Sequence, residues 1–246
     1  MKSNFSIIIP ARYASSRLPG KPLLQIKNKP LIQHVFETAS STKAKDIIIA
    51  TDHEGILNAA ISFGCKALLT SDNHESGTDR IVEVVEKLNL DDDEIIINLQ
   101  GDEYGLSASL IDKLAYDLSN NPSCEVATVC EHIKNIDDYT NPNIVKVVFN
   151  KEMKAIFFSR SPIPADRTGN LPDNSYKHIG LYAYRVGYLK KFTKFDRCEL
   201  EKTEQLEQLR IIYNEGSIHM LITDNSKGIG IDTKEDLDIA RAIKNN

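Results

Sequence analysis

Apolar and polar positions along the first half of the chain alternate between two periods. "SIIIP" (Ser6 to Pro10) is a short, continuous, β-branched run of the kind found in strands buried on both faces. Next, Leu31, Ile32, Val35, Phe36 and Ala39 share one helical face. "DIIIATD" (Asp46 to Asp52) predicts a second strand. Ile56, Leu57, Ala60 and Ile61 mark a second helix that stops at Gly64. "KALLT" predicts a third strand, and Ile81, Val82, Val85 and Leu88 a third helix. "EIIINLQGDE" (Glu94 to Glu103) is a fourth strand that ends in a polar cluster. Ser107 is placed to cap the following helix, which carries Leu110, Ile111, Leu114 and Leu118. This βαβαβαβ order predicts an α/β fold with a mostly parallel sheet and helices on both faces.

The second half reads differently. "CEVATVCEH", "NIVKVVF", "KAIFFS", "HIGLYAYR" (His178 to Arg185) and "SIHMLIT" are strand-like. "TEQLEQLRIIYNEG" (Thr203 to Gly216) predicts one helix with Leu206, Leu209 and Tyr213 in phase. A last helix follows Thr233, with acids in its first turn and Arg241 and Lys244 near its end, which suits the helix dipole. Between these lies Ser159 to His178, a long segment with three prolines and two arginines and little periodicity. Loops of that length in compact domains are usually functional or disordered.

Charge narrows the partners. With 30 basic and 35 acidic residues the net charge is −5, so the chain as a whole repels a phosphate backbone and nucleic acid is excluded as a partner. Any anion site must be local. The four cysteines (Cys65, Cys124, Cys130, Cys198) form no C-x-x-C pair and read as free buried thiols. No apolar run approaches a signal segment or the ~20 residues of a membrane span, so a soluble, cytoplasmic protein is expected, with no membrane partner.

Ligands of open α/β sheets bind beyond the carboxyl ends of the strands. That rule sets three polar clusters on one rim: the Arg12–Lys21 loop, the Asp52–His53 turn and Gln100–Glu103. The first follows a strand with small and basic residues, the general plan of a phosphate-binding turn, yet it matches neither a Walker A loop nor G-x-G-x-x-G. A solvated connector is the alternative. Asp102 is a candidate for Mg²⁺, which prefers oxygen donors shared with substrate phosphates. Asp232 is either a helix-start acid or a second ligand, and spacing alone leaves that open. Ser76, Gly77 and Thr78 form a turn able to meet a base or ribose. His53, His74 and His178 lack metal-ligand spacing.

Taken in order, "IIIPARYASSRLPGKPL", "IATDHE", "ESGTDRIVEVV", "NLQGDE", "FSRSPIP", "HIGLYAYR", "EQLEQLR" and "GIGIDTKEDL" resemble the 3-deoxy-manno-octulosonate (Kdo) cytidylyltransferase family over nearly the whole chain. The resemblance implies one Rossmann-like nucleotidyltransferase domain over 1–246, with an inserted sugar-binding and dimerisation subregion at about 130–200. It implies a homodimer that joins CTP to the acidic sugar with Mg²⁺, releasing pyrophosphate, for lipopolysaccharide biosynthesis. Carried across motif by motif, Arg12, Arg17 and Lys21 would hold the triphosphate. Ser76 and Gly77 would meet the cytidine, and Gln100 would lie between base and sugar. Asp102 and Asp232 would bind Mg²⁺. Lys21, Asp102, Asp232 and Arg12 would carry the catalysis. Arg160, Arg167, His178, Tyr182, Tyr184, Glu207 and Gln208 would line the sugar pocket, with Arg160 or Arg167 facing its carboxylate.

One position departs from the family. Its Gly-Asp-Glu is usually followed by Pro, and here Tyr104 follows. Neutral drift is one account. The other is an altered sugar, the 8-amino-3,8-dideoxy analogue of Kdo, whose amine a tyrosine hydroxyl could meet. Two further alternatives are a CMP-activating enzyme for a sialic-type acid, against which "RLPGKPL" and "EQLEQLR" speak, and a silent nucleotide-binding homologue.

Overall fold

The computed structural model describes residues 5–14 and 17–243. Lys244, expected at the end of the last helix, lies outside them. The first half contains β1 (Phe5–Ala11), a 3₁₀ turn (Lys21–Leu23), β2 (Gln25–Ile26), β3 (Lys29–Pro30), α1 (Leu31–Ser40), β4 (Ile47–Thr51), α2 (Glu54–Ser62), β5 (Lys66–Leu69), α3 (Gly77–Lys87), β6 (Ile95–Asn98), β7 (Glu103–Tyr104) and α4 (Ala108–Asn120). The second half contains β8 (Val126–His132), α5 (Ile136–Thr140), β9 (Lys146–Phe149), β10 (Ala155–Ser159), β11 (Tyr176–Arg185), α6 (Val186–Phe192), α7 (Glu199–Glu204), α8 (Leu209–Tyr213), β12 (Ile218–Thr223), β13 (Ile229–Gly230) and α9 (Lys234–Ala242).

The main sheet runs β10-β9-β11-β6-β1-β4-β5, and β8 pairs both β11 and β12. β6, β1, β4 and β5 are parallel, as the alternating pattern predicts. β11 joins antiparallel to β6, so the regular crossover order ends there. In β1, Ile7 and Ile9 face one helical layer and Ile8 the other, and none of the three is exposed. A strand covered on both faces has no polar side, which is why its pattern is a continuous run. α1 and α4 pack on the first face, α3 and α6 on the second. Cutting Ile8 to Ala in this layer removes contacts worth about 2–5 kcal/mol.

Three details differ from the sequence reading. The stretch Thr203–Gly216 is not one helix: Gln205 adopts φ 54°, ψ 48°, ending α7, and α8 starts only at Leu209. A buried fork holds this break closed, with Arg210 Nε and Nη2 each 2.8 Å from a different oxygen of Glu201. Ser107 stands at the start of α4, but its hydroxyl meets that of Ser109 at 2.7 Å and caps no backbone N–H. Finally, β7 and β13 form a small antiparallel pair with Ile229 opposite Tyr104 and Gly230 opposite Glu103. Two residues per strand are too few to leave a periodic signal.

Candidate active site

The loop after β1 is stiffened from within. Gly20 takes φ 65°, a left-handed conformation that suits glycine, and starts the turn carrying Lys21. Its N–H donates to the Tyr13 carbonyl at 3.2 Å. Across the rim, Gly101 approaches β1 so closely that a Cβ there would lie 2.9 Å from the Pro10 carbonyl oxygen. Gly77 is similarly confined: a Cβ would lie 3.3 Å from Pro10 Cγ and 3.4 Å from Gln100 Oε1. Three chain segments therefore meet at the end of β1, and two of them approach it through glycines with no room for a side chain of their own. They bound a cavity of about 240 Å³ whose wall includes Arg12, Arg17, Lys21, Ser76, Gly77, Gln100, Asp102 and Asp232.

The β7–β13 pair brings Asp232 to the rim. The Ile231 N–H donates to the Asp102 carbonyl at 3.0 Å, and that register sets Asp232 beside Asp102 although 130 positions separate them. Lys21 Nζ lies 2.5 Å from Asp102 Oδ2 and 3.0 Å from Asp232 Oδ1. Arg17 Nη2 lies 3.1 Å from Asp232 Oδ2. Burial would lower the Lys21 pKa, but the two carboxylates outweigh it and the net shift is upward. Glu103 is pushed the other way, to about 7, by burial and then by Asp102 and Asp232, with Lys21 giving partial relief. Arg12 is exposed on the cavity wall. Asp232 also keeps its helix-start role nearby: Thr233 caps α9 in a capping box with Asp236, whose carboxylate also accepts the Asp232 N–H.

Two carboxylates that converge on one ammonium present oxygen donors to a single point. That is the donor chemistry a hard divalent cation takes when phosphates and water complete its shell. Among the described residues no group of three His, Cys, Asp or Glu closes a metal cage.

Ser76 is the N-cap of α3. Its hydroxyl accepts the Asp79 N–H at 3.1 Å and donates to Asp79 Oδ2 at 2.9 Å. Gln100 Nε2 donates to Asn98 Oδ1 at 2.9 Å, and Asn98 stands opposite Tyr182 in the β6–β11 pair. This link leads from the cavity to the second group of predicted residues. On β11, His178, Tyr182 and Tyr184 form a ladder with ring centroids 5.3 and 5.6 Å apart. The ladder spans a register shift between Ile179 and Tyr182. Thr128 fills it, donating to the Leu181 carbonyl at 2.8 Å while its oxygen lies 3.0 Å from His178 Nε2. Burial drives the His178 pKa down to about 3, and burial with the nearby Glu207 charge drives Tyr182 well above 10. Thr78 donates to Glu207 Oε1 at 2.5 Å, tying the α7–α8 turn to α3. Burial raises the Glu207 pKa. Gln208 is buried, and its Nε2 has no partner among the described residues.

Three sugar-side candidates stand elsewhere. Tyr104 is 8% exposed, packs in the core edge-on against His34 (5.2 Å between centroids), and is not on the cavity wall. β7 turns the ring inward when it pairs with β13, so nothing in its placement supports the expected contact of its hydroxyl with the sugar. Arg160 is committed to backbone: Nε donates to the Glu204 carbonyl at 2.7 Å and Nη1 to that of Pro142 at 3.1 Å. Its own carbonyl accepts from Lys146, a fully buried ammonium shared with the carbonyls of Asn141 and Ile144. Arg160 thus anchors the base of the long loop. Arg167 is exposed on a turn organised by Asp166.

Two polar groups near the cavity were given no place in it by the sequence reading. Arg80, 3% exposed, reaches Asp52 Oδ2 at 2.8 Å and also donates to Thr70 and the Ser71 carbonyl. His74, on the cavity wall, meets Glu83 at 2.5 Å. A buried arginine inside a helical apolar stripe was the available signal for Arg80. His74 left none.

A model of the cytidylyltransferase family matches residues 6–222. The chain belongs to the cytidylyltransferase family. The 3-deoxy-manno-octulosonate cytidylyltransferase of Hahella chejuensis is 47% identical over 249 residues, covering 98% of each chain. That of Haemophilus influenzae is 45% identical over 250 residues, again with 98% of each covered. The solved structure of a CMP:2-keto-3-deoxy-manno-octonic acid synthetase complexed with CTP superposes with a TM-score of 0.91 at 41% identity, over 97% of both chains. The nucleotidyltransferase fold and activity class expected from the motifs are therefore shown.

Proposed function

We propose that this cytidylyltransferase moves CMP from CTP to the anomeric hydroxyl of 3-deoxy-manno-octulosonate and releases pyrophosphate. The observation that carries the reading is the Asp102–Lys21–Asp232 cluster at the end of β1, in a chain that matches the sugar-specific relatives from end to end. The sugar hydroxyl attacks the α-phosphorus, and the bond from that phosphorus to the bridging oxygen breaks. Such transfers ask mainly for positioning and charge neutralisation. Arg12, Arg17 and Lys21 bind the triphosphate and neutralise the departing pyrophosphate, with arginine suited to bidentate phosphate contacts. Ser76, Gly77 and Gln100 orient the nucleoside. Asp102 and Asp232 would hold Mg²⁺, which when bound supplies Lewis-acid polarisation of the α-phosphate.

Tyr182, Tyr184, Glu207 and Gln208 form the sugar wall, and the unpartnered Gln208 amide supplies a donor that ligand hydroxyls would satisfy. With Arg160 tied to carbonyls, Arg167 is the arginine left to face the sugar carboxylate. The same reading makes the protein a cytoplasmic homodimer, with residues 130–200 supplying the subregion that dimerises. Among the described residues no helix is long and apolar enough to cross a membrane. Because Tyr104 lies in the core, it supports no choice between Kdo and its 8-amino analogue. Steady-state assays with CTP and each sugar decide it: a higher kcat/KM for plain Kdo is expected, and a marked preference for the amino sugar would overturn that choice.

A further inference from the structure

The phosphate loop does not hold its shape through its own bonds alone. The backbone N–H of Tyr13 donates to Asp52 Oδ1 at 3.1 Å. The other oxygen, Asp52 Oδ2, accepts from buried Arg80 at 2.8 Å. Arg80 belongs to α3, whose N-terminus presents Ser76 and Gly77 to the same cavity. The Tyr13 ring then stacks on His53 at 3.9 Å between centroids. One carboxylate at the end of β4 is therefore the shared partner of two cavity walls that are distant in sequence.

We infer that Asp52 is a positioning residue of the reaction: it sets the phosphate loop against the nucleoside-binding end of α3, so that the triphosphate is held in register with the base. The inference rests on the CTP reading of this cavity. Arg80 is locked on Asp52, Thr70 and Ser71 and has little freedom to swing, so the α3 side of the link is rigid. The Tyr13 side is exposed, and its N–H and ring are what tie that part of the loop to the end of β4. Loss of the link therefore releases the phosphate loop and leaves the nucleoside side in place. Ligands that need the loop suffer, and ligands that do not are spared.

The test compares CTP with CMP on the full chain. Asp52→Ala is expected to raise the dissociation constant of CTP about tenfold, as loss of one charge-assisted hydrogen bond would. The constant for CMP, and the KM for the sugar, should change less than about twofold. Because Asp52→Ala strands the Arg80 charge and puts folding at risk, a loop pair gives a second route. Tyr13→Pro deletes the N–H donor, Tyr13→Ala keeps it, and both lose the ring. The proline variant should bind CTP several-fold more weakly than the alanine variant, with equal CMP affinity. Equal weakening of CTP and CMP in Asp52→Ala, or equal CTP affinity in the two Tyr13 variants, overturns the inference. A wild-type protein that binds CTP yet transfers nothing to the sugar would count against the proposed reaction while leaving these binding comparisons intact.

Discussion

The two halves of the proposed site differ in electrostatic plan. At the phosphate end the side chains are charged and pair with one another: Lys21 with Asp102 and Asp232, and Arg17 with Asp232. Along the proposed sugar wall they are buried and desolvated. His178 titrates near 3, Tyr182 and Tyr184 well above 10, and Glu207 above its ordinary value. In the proposed reaction the charged end would exchange its partners when phosphate arrives, whereas the other group is held in advance by Thr128 and Thr78. Chemistry that neutralises a leaving pyrophosphate belongs at the first, and shape and hydrogen-bond selection at the second.

Substitutions separate the two plans. The largest effect is expected for Asp102→Asn, which should cut kcat by about a thousandfold, the upper range for one electrostatic group. Its melting temperature should stay near wild type; near-normal turnover with saturating Mg²⁺ would remove Asp102 from the chemistry. Lys21→Met follows, with kcat/KM for CTP lower by about a hundredfold. It should leave sugar affinity unchanged, and a rise in sugar KM alone would blur the division. Glu207→Gln should raise the sugar KM about tenfold and leave the CTP KM unchanged. Arg167→Lys should raise the sugar KM while Arg160→Lys mainly lowers thermal stability, because only the second gives up backbone carbonyl contacts. Reversal of that pair would reassign the carboxylate partner.

The smallest effect is on pH dependence. Unfolded His178 takes up a proton near its ordinary value of 6.5, and the folded side chain does so only near 3. Protonation thus favours the unfolded chain as pH falls through that window, and the stability His178 contributes is present above 6.5 and lost below it. Glu83, held at about 2 against burial by Lys87, the Ser71 N–H and His74, adds a further loss as pH drops below 4.5. Denaturant melts of wild type and His178→Gln should diverge in slope between pH 6.5 and 4, and parallel profiles would contradict a neutral, buried imidazole.

Most of the fold was legible because β1, β4 and β6 are covered on both faces and leave continuous apolar runs. The phosphate loop was legible for a related reason: its cations follow a strand directly. The meeting of Asp102 with Asp232 was not, since it depends on a two-residue strand pair that has no period. The break at Gln205 was hidden too, because Leu206 and Leu209 keep helical spacing across it while the Glu201–Arg210 fork stabilises the turn. Tyr104 was read toward the sugar because it follows the rim's Gly-Asp-Glu directly, while its burial depends on the same two-residue strand pair, which leaves no period in the sequence.

The central claim is the transfer of CMP, and isotope tracing tests it most directly. With CTP labelled at the α-phosphorus, 3-deoxy-manno-octulosonate and Mg²⁺, the label should move wholly into a sugar nucleotide while one unlabelled pyrophosphate appears per transfer. Label that remains in CTP, or that emerges in free CMP with no sugar product, would contradict it.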